Sequence, residues 1–316
     1  MQKRPLKVGV LLPDTEHQMN GESARWSDLA AMVRTAEAVG FDSIWVTDHL
    51  LHRAERDAAA GAVGGDLRAL EGPWECWSLL SAIAAITQRA EIGSLVICHV
   101  FRNPALLAKM ADTLDEISGG RLILGLGAGW NEPEFRAFGY PCDHRVDRLE
   151  EGLAIITSLL RTGRSDFHGV YYQTNDCELR PRGPRPGGPP LLIGTSSPRM
   201  LRLTAKHADI WNVWFSQTGN DLERLKVLMQ QVDAACEATG RDPATLQKTA
   251  AVKVEIGPHE PSAMSAPPLR GSHEELANQL RGYASAGVSH VQLWIEPNTG
   301  DGYEAFAPVL ALLNAA

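Results

Sequence analysis

No stretch of the 316-residue chain approaches the ~18 consecutive apolar residues of a membrane-spanning helix. None of its five cysteines (Cys76, Cys98, Cys142, Cys177 and Cys236) belongs to a C-x-x-C pair, and their number is odd. A zinc ribbon and a disulfide scaffold are therefore set aside, and free thiols in a reducing cytosol are expected. Basic residues are in deficit, 30 against 38 acidic, and the net charge of -8 leaves no footprint for nucleic acid. The opening "MQKRPLKVGVLLP" carries an apolar run that stops at Pro13, shorter than a secretory signal needs. No linker or shift of composition divides the chain. The expectation is one cytoplasmic domain over residues 1–316, acting on a small molecule, with no membrane or nucleic-acid partner. Hydrophobic residues make up 44% of the chain, enough to bury a large core.

Short apolar runs alternate with amphipathic stretches along nearly the whole sequence. "KVGVLLP" reads as strand one, and "SDLAAMVRTAEAVG" as a helix capped by Ser27 and stopped at Gly40. "DSIWVTD" is strand two, with a helix over residues 73–88. "EIGSLVI" and "PALLAKMADTLDEISGG" make the third pair, and "RLILGLGAG" leads through a polar loop to "RVDRLEEGLAIITSLLRTG". "PPLLIGTS" with "PRMLRLTAKHA", and "DIWNVW" with a helix over 220–240, are the fifth and sixth. "TAAVKVEI", "SHEELANQLRGYASAG", "HVQLWIE" and "GYEAFAPVLALLNA" complete eight pairs.

Eight such pairs predict parallel strands with crossover helices, and eight can close a (β/α)8 TIM barrel whose active site lies at the C-terminal strand ends. An open doubly wound sheet is the competitor, but no obviously polar strand serves as its edge. Two long insertions, residues 53–72 after strand two and 257–271 after strand seven, fall on the catalytic side, where lids belong. The Pro/Gly-rich stretch 180–190 is short enough to be a loop.

"SIWVTDHL" starts as a buried strand and stops on Asp48 and His49. In a barrel both lie at the mouth, where His49 can give or take a proton and Asp48 can orient the ring or hold a polar cofactor atom. Alternatively Asp48 caps the next segment and His49 sits in solvent. His49 and His52 are too few for a metal site, since no further ligand follows at the right spacing. "LGLGAGWNEPEF" ends strand four with three glycines, but as G-x-G-x-G it is a weak dinucleotide fingerprint. The glycines serve either a ligand or tight strand packing. Trp130, directly after them, favours a ligand with a planar ring. "LIGTSSPRMLRL" sets Gly194, Thr195, Ser196 and Ser197 before a helix start, an anion site unless Ser196 or Ser197 simply caps the helix. Arg199 or Arg202 can add charge there. His99 reads as a loop histidine.

In their order and spacing, "AEAVGFDSIWVTDHL", "IGSLVICHVFRNPALLAKMADTLDEISGGRLILGLGAGWNEPEF" and "PPLLIGTSSPRMLRLTAKHADIWNV" resemble the bacterial-luciferase-like flavin oxidoreductases, and within them the branch assigned to the deazaflavin coenzyme F420. The resemblance implies the same barrel, a homodimer, His49 as acid/base and Asp48 on the cofactor. It implies a non-proline cis peptide between Ser94 and Leu95, with Ser94, Leu95 and Ile97 along the ring. Ala128 and Gly129 would follow the ribityl chain, with Trp130 and Asn131 beside them. Gly194, Thr195, Ser196 and Ser197 would hold the phosphate. Two departures count. Trp130 stands where sugar-phosphate dehydrogenases of this kind carry a catalytic Glu. Arg145-Val146 stands where many FMN enzymes carry Arg-Tyr. The expected activity is hydride transfer between F420 and a small organic substrate, the alternative an FMN-dependent monooxygenase, and a third reading a flavin carrier without turnover.

Overall fold

The computed structural model describes residues 4–14, 24–53, 70–257 and 266–315. The barrel strands are β1 (Lys7–Leu11), β2 (Ser43–Val46), β3 (Glu91–Ser94), β4 (Leu122–Gly127), β5 (Leu191–Gly194), β6 (Ile210–Val213), β7 (Gln247–Glu255) and β8 (His290–Glu296). Every neighbouring pair is parallel, in chain order. The circle closes where β8 meets β1, Val291 beside Val8. The open sheet is thereby excluded. Ile97–Cys98 continues β3 upward and pairs with Leu126 and Gly127.

The helices that follow the eight strands are α1 (Trp26–Val39), α2 (Cys76–Ile86), α3 (Pro104–Ser118), α4 (Arg145–Thr162), α5 (Pro198–His207), α6 (Leu222–Ala238), α7 (His273–Ser285) and α8 (Gly300–Asn314), with short helices at Glu132–Phe138 and Phe215–Thr218. Strand side chains alternate between two cores, as the pleat requires. Val8, Val10, Ile44, Ile92, Leu124 and Val291 meet the helices. Leu11, Trp45, Leu95, Ile123, Leu192 and Trp294 fill the barrel. The Trp45 indole occupies so much of that interior that a Cβ on Gly93 would lie 2.2 Å from its ring. Glycine there is a packing requirement.

Local signals agree in part. Gly40 ends α1 with φ 104°. Ser27 does not cap it: the helix starts one residue earlier, and Arg25 holds the cap position. Asn103 caps α3 ahead of Pro104, accepting from the amides of Ala105 and Leu106. The insertion after β2 leaves and returns on a short antiparallel ladder, His52–Arg53 against Leu70–Glu71. Residues 54–69 between them, and 258–265 after β7, lie outside the described residues. The stretch 180–190 is a loop pinned to α3, where Arg182 meets Asp112 at 3.0 Å and Arg185 meets Asp115 at 2.8 Å. An antiparallel hairpin, Arg164–His168 with Gln173–Glu178, was not expected; its strands are mostly polar and half exposed, so they carry no strong apolar alternation. Among the described residues no helix is long and apolar enough to cross a membrane.

Candidate active site

The C-terminal strand ends bring His49, the β3 extension, the strand-four loop and the start of α5 to one rim. His49 keeps 18% of its side chain open. Its Nδ1 faces the carboxylate of Glu134, 3.2 Å from Oε1 and 3.3 Å from Oε2. Trp130 packs edge-on against the imidazole, ring centroids 5.4 Å apart, and His52 lies at 4.4 Å. His49 is therefore a held side chain of the mouth and not a solvent histidine. Glu134 sits on the short helix Glu132–Phe138 and is 2% exposed. It also accepts from the Leu50 amide at 2.9 Å.

Asp48, expected to orient the ring or meet a cofactor, turns the other way. Its side chain is fully buried. Arg102 grips it with two hydrogen bonds, 2.7 Å and 3.0 Å, and the Cys98 amide donates a third at 3.0 Å. Burial pushes the Asp48 carboxyl up, against the pull of Arg102. Although burial opposes it, the hydrogen bonds that Arg102 donates to Asp48 hold its guanidinium above its ordinary value. Asp48 thus ties the end of β2 to the β3 extension, and the carboxylate beside the His49 ring is Glu134.

Along strand three the cis peptide joins Leu95 to Val96, one bond beyond the expected Ser94–Leu95 position. The Ser94 hydroxyl bonds both the amide and the carbonyl of Gly125 at 3.0 Å, which locks it into the β3–β4 seam. The Leu95 side chain lies in the barrel core, whereas that of Ile97 packs toward the helices. Gly129 has φ 78°, and a Cβ there would collide with Phe135 and Cys98. That glycine is accounted for by packing. Ala128 is half-buried and Trp130 is 43% exposed. The Asn131 amide holds the Leu51 carbonyl at 2.9 Å, a second tie between this loop and the His49 segment. His99 is a buried wall residue against Tyr172, and burial lowers its pKa to about 4.

At the start of α5, neither Ser196 nor Ser197 caps the helix: the Ser197 side chain makes no cap bond. The free amides of a ten-residue helix therefore point at the rim. Thr195 is buried and its hydroxyl accepts from the Ser197 amide at 3.2 Å. A Cβ on Gly194 would meet only the Val96 methyls, at 3.5 and 4.0 Å, so packing does not demand glycine there. Room for a Cβ beside uncapped amides suits the phosphate and chain of a flavin-type cofactor. Arg199 does not add charge: it pairs with Asp147 and Glu150 of α4, at 2.5 and 2.8 Å. Val146 packs against the core, and Arg145 reaches the Trp130 carbonyl at 3.3 Å. Among the described residues no cluster could hold a metal ion.

Sequence reasoning missed Glu134. Two acids in the first turn of a helix read as ordinary complements to its dipole. The available signal was Phe135 beside it, which turns that face of the helix inward.

The model of the luciferase-like monooxygenase family matches residues 6–267. Pyrimidine monooxygenase RutA of Cronobacter sakazakii is 34% identical over 184 residues, 57% of this chain and 53% of that protein. The chain spans about half the length of such curated relatives. An F420-dependent secondary alcohol dehydrogenase, solved with an F420–acetone adduct, superposes with a TM-score of 0.75 at 18% identity, covering 98% of this chain and 99% of that one. Riboflavin lyase RcaE, solved with modified FMN and riboflavin, gives 0.78 at 16%, covering 98% and 92%. With a closed (β/α)8 barrel and a family match over most of its length, the chain belongs to the luciferase-like monooxygenase family.

Proposed function

We propose that the protein is a flavin-dependent monooxygenase of small planar organic substrates, with pyrimidine-like rings as the first class to test. The observation that carries this reading is one rim with two features: His49, held by Glu134 beside the exposed Trp130, and the uncapped start of α5. Relatives favour this alternative over the F420 reading, because proteins 31–34% identical to this chain are named as pyrimidine monooxygenases. In this reading Gly194, Thr195, Ser196 and Ser197 hold the FMN phosphate, and Leu95 and Val96 lie under the ring. Bound in reduced form, the flavin supplies the electrons by which one atom of dioxygen enters the substrate. His49 takes and returns a proton at the substrate. The exposed face of Trp130 offers a platform for a planar ring.

A second reading, hydride transfer with F420, keeps support from Val146, which packs into the core where many FMN enzymes place a Tyr. One experiment separates the two. The purified protein is titrated with FMN and with F420 by fluorescence, then supplied with enzymatically reduced FMN, oxygen and uracil. Micromolar FMN binding and a uracil product heavier by one oxygen are expected. Saturation by F420 without FMN binding would overturn the monooxygenase in favour of the dehydrogenase. The homodimer belongs to the same proposal, and a monomeric mass by light scattering would contradict it.

A further inference from the structure

Two polar ties run from the strand-four loop to the segment that carries His49. Asn131 holds the Leu51 carbonyl, and Glu134 holds both the Leu50 amide and the His49 ring. Among the described residues no lysine or arginine pairs with Glu134, and the neighbouring Arg136 turns to Glu132 at 3.1 Å. A carboxylate this buried needs donors, because leaving it unbonded is costly. It has two: the Leu50 amide and whatever His49 presents. An ionised carboxylate only accepts. A neutral imidazole facing an ionised carboxylate carries its proton on Nδ1, toward Glu134. Nε2 is left with its lone pair, and it bonds none of the described residues.

We propose that Glu134 is the positioning residue of the site: it sets His49 in the Nδ1–H tautomer, so that Nε2 is the atom that exchanges a proton with substrate. The proton that leaves the substrate goes to Nε2. The imidazolium then formed has its Nδ1–H on the Glu134 carboxylate, the substrate left behind carries one positive charge fewer, and the same proton later returns from Nε2 to the substrate. Glu134 stays ionised throughout. The proton exchange rests on the proposed function; the tautomer does not.

Glu134→Gln distinguishes positioning from mere support of the loop. Its side-chain oxygen can still accept from the Leu50 amide, so a structural role survives. Its amide nitrogen then faces Nδ1 and donates to it, which moves the ring proton to Nε2. Protein with 15N-labelled histidine reports the tautomer by NMR without turnover. Wild type and Glu134→Asp should show Nδ1 protonated at neutral pH, and Glu134→Gln should show Nε2 protonated. With FMN loaded, kcat of Glu134→Gln should fall by ~10²-fold or more, as a wrong tautomer does elsewhere, with KM and FMN affinity within a few-fold. Glu134→Asp should recover part of the loss. An unchanged tautomer in Glu134→Gln would overturn the positioning role. A tautomer that flips while kcat holds would overturn proton exchange at His49, and with it the use of His49 in the proposed function.

Discussion

Arg102 and Asp48, 54 residues apart in the sequence, form a two-pronged ion pair of 2.7 and 3.0 Å between neighbouring strand units. The pair joins the end of β2 to the turn after β3. The same guanidinium also bonds Glu75, whose carboxylate caps α2 by accepting from the amides of Trp77 and Ser78.

Removing one partner leaves a buried charge. Arg102→Ala should therefore lower unfolding free energy by about 3–5 kcal/mol, the range for breaking a buried pair. Urea unfolding measures it. A loss below about 1 kcal/mol would mean that the pair behaves as a surface bridge.

Stability should also fall in mild acid. His290 lies inside the barrel with Nε2 2.7 Å from the Ser43 hydroxyl, and burial lowers its pKa to about 3. Unfolding returns a histidine to about 6.5. Between those values the unfolded chain binds the extra proton, so its contribution is complete above pH ~6.5 and declines as pH falls, by up to about 1.4 kcal/mol per unit, until about pH 3. His99, lowered to about 4, adds to the same slope over a narrower window. Unfolding measured between about pH 7 and pH 5 should be shallower in His290→Gln than in wild type. Equal slopes would show that His290 titrates normally in the fold.

The α5 start gives a prediction about affinity. A Cβ on Gly194 meets only the Val96 methyls, at ordinary contact distance. Gly194→Val should fold with near-wild-type stability while filling the space beside the free amides. FMN affinity should drop at least ten-fold, a change of about 1.4 kcal/mol. Unchanged affinity would move the phosphate elsewhere.

The barrel was legible because its strands are buried on both faces and its helices on one, so the apolar period switches visibly from unit to unit. His49 was legible from position alone: an ionisable pair at a strand end. Its partner was not, since Glu134 lies 85 residues away and only the barrel's curvature brings strand units two and four together. Asp48 was misread for the same reason, because Arg102 captures it from the next unit. The cis bond fell one residue late because the sequence marks a bulge and not the bond within it. The hairpin after α4 escaped because polar ribbons such as "QTNDCE" lack the alternation that announces a strand.

The central claim is that His49 moves a proton for a flavin-dependent reaction at the barrel mouth. Its most direct test is single-turnover substrate oxygenation by His49→Ala loaded with reduced FMN, alongside its FMN dissociation constant. A positioned acid or base contributes ~10²–10⁴-fold, or about 3–5 kcal/mol of barrier, so the rate constant should fall by that order. FMN affinity should stay within a few-fold, because the α5 start is untouched. A variant that binds FMN and oxygenates at the wild-type rate would contradict the claim.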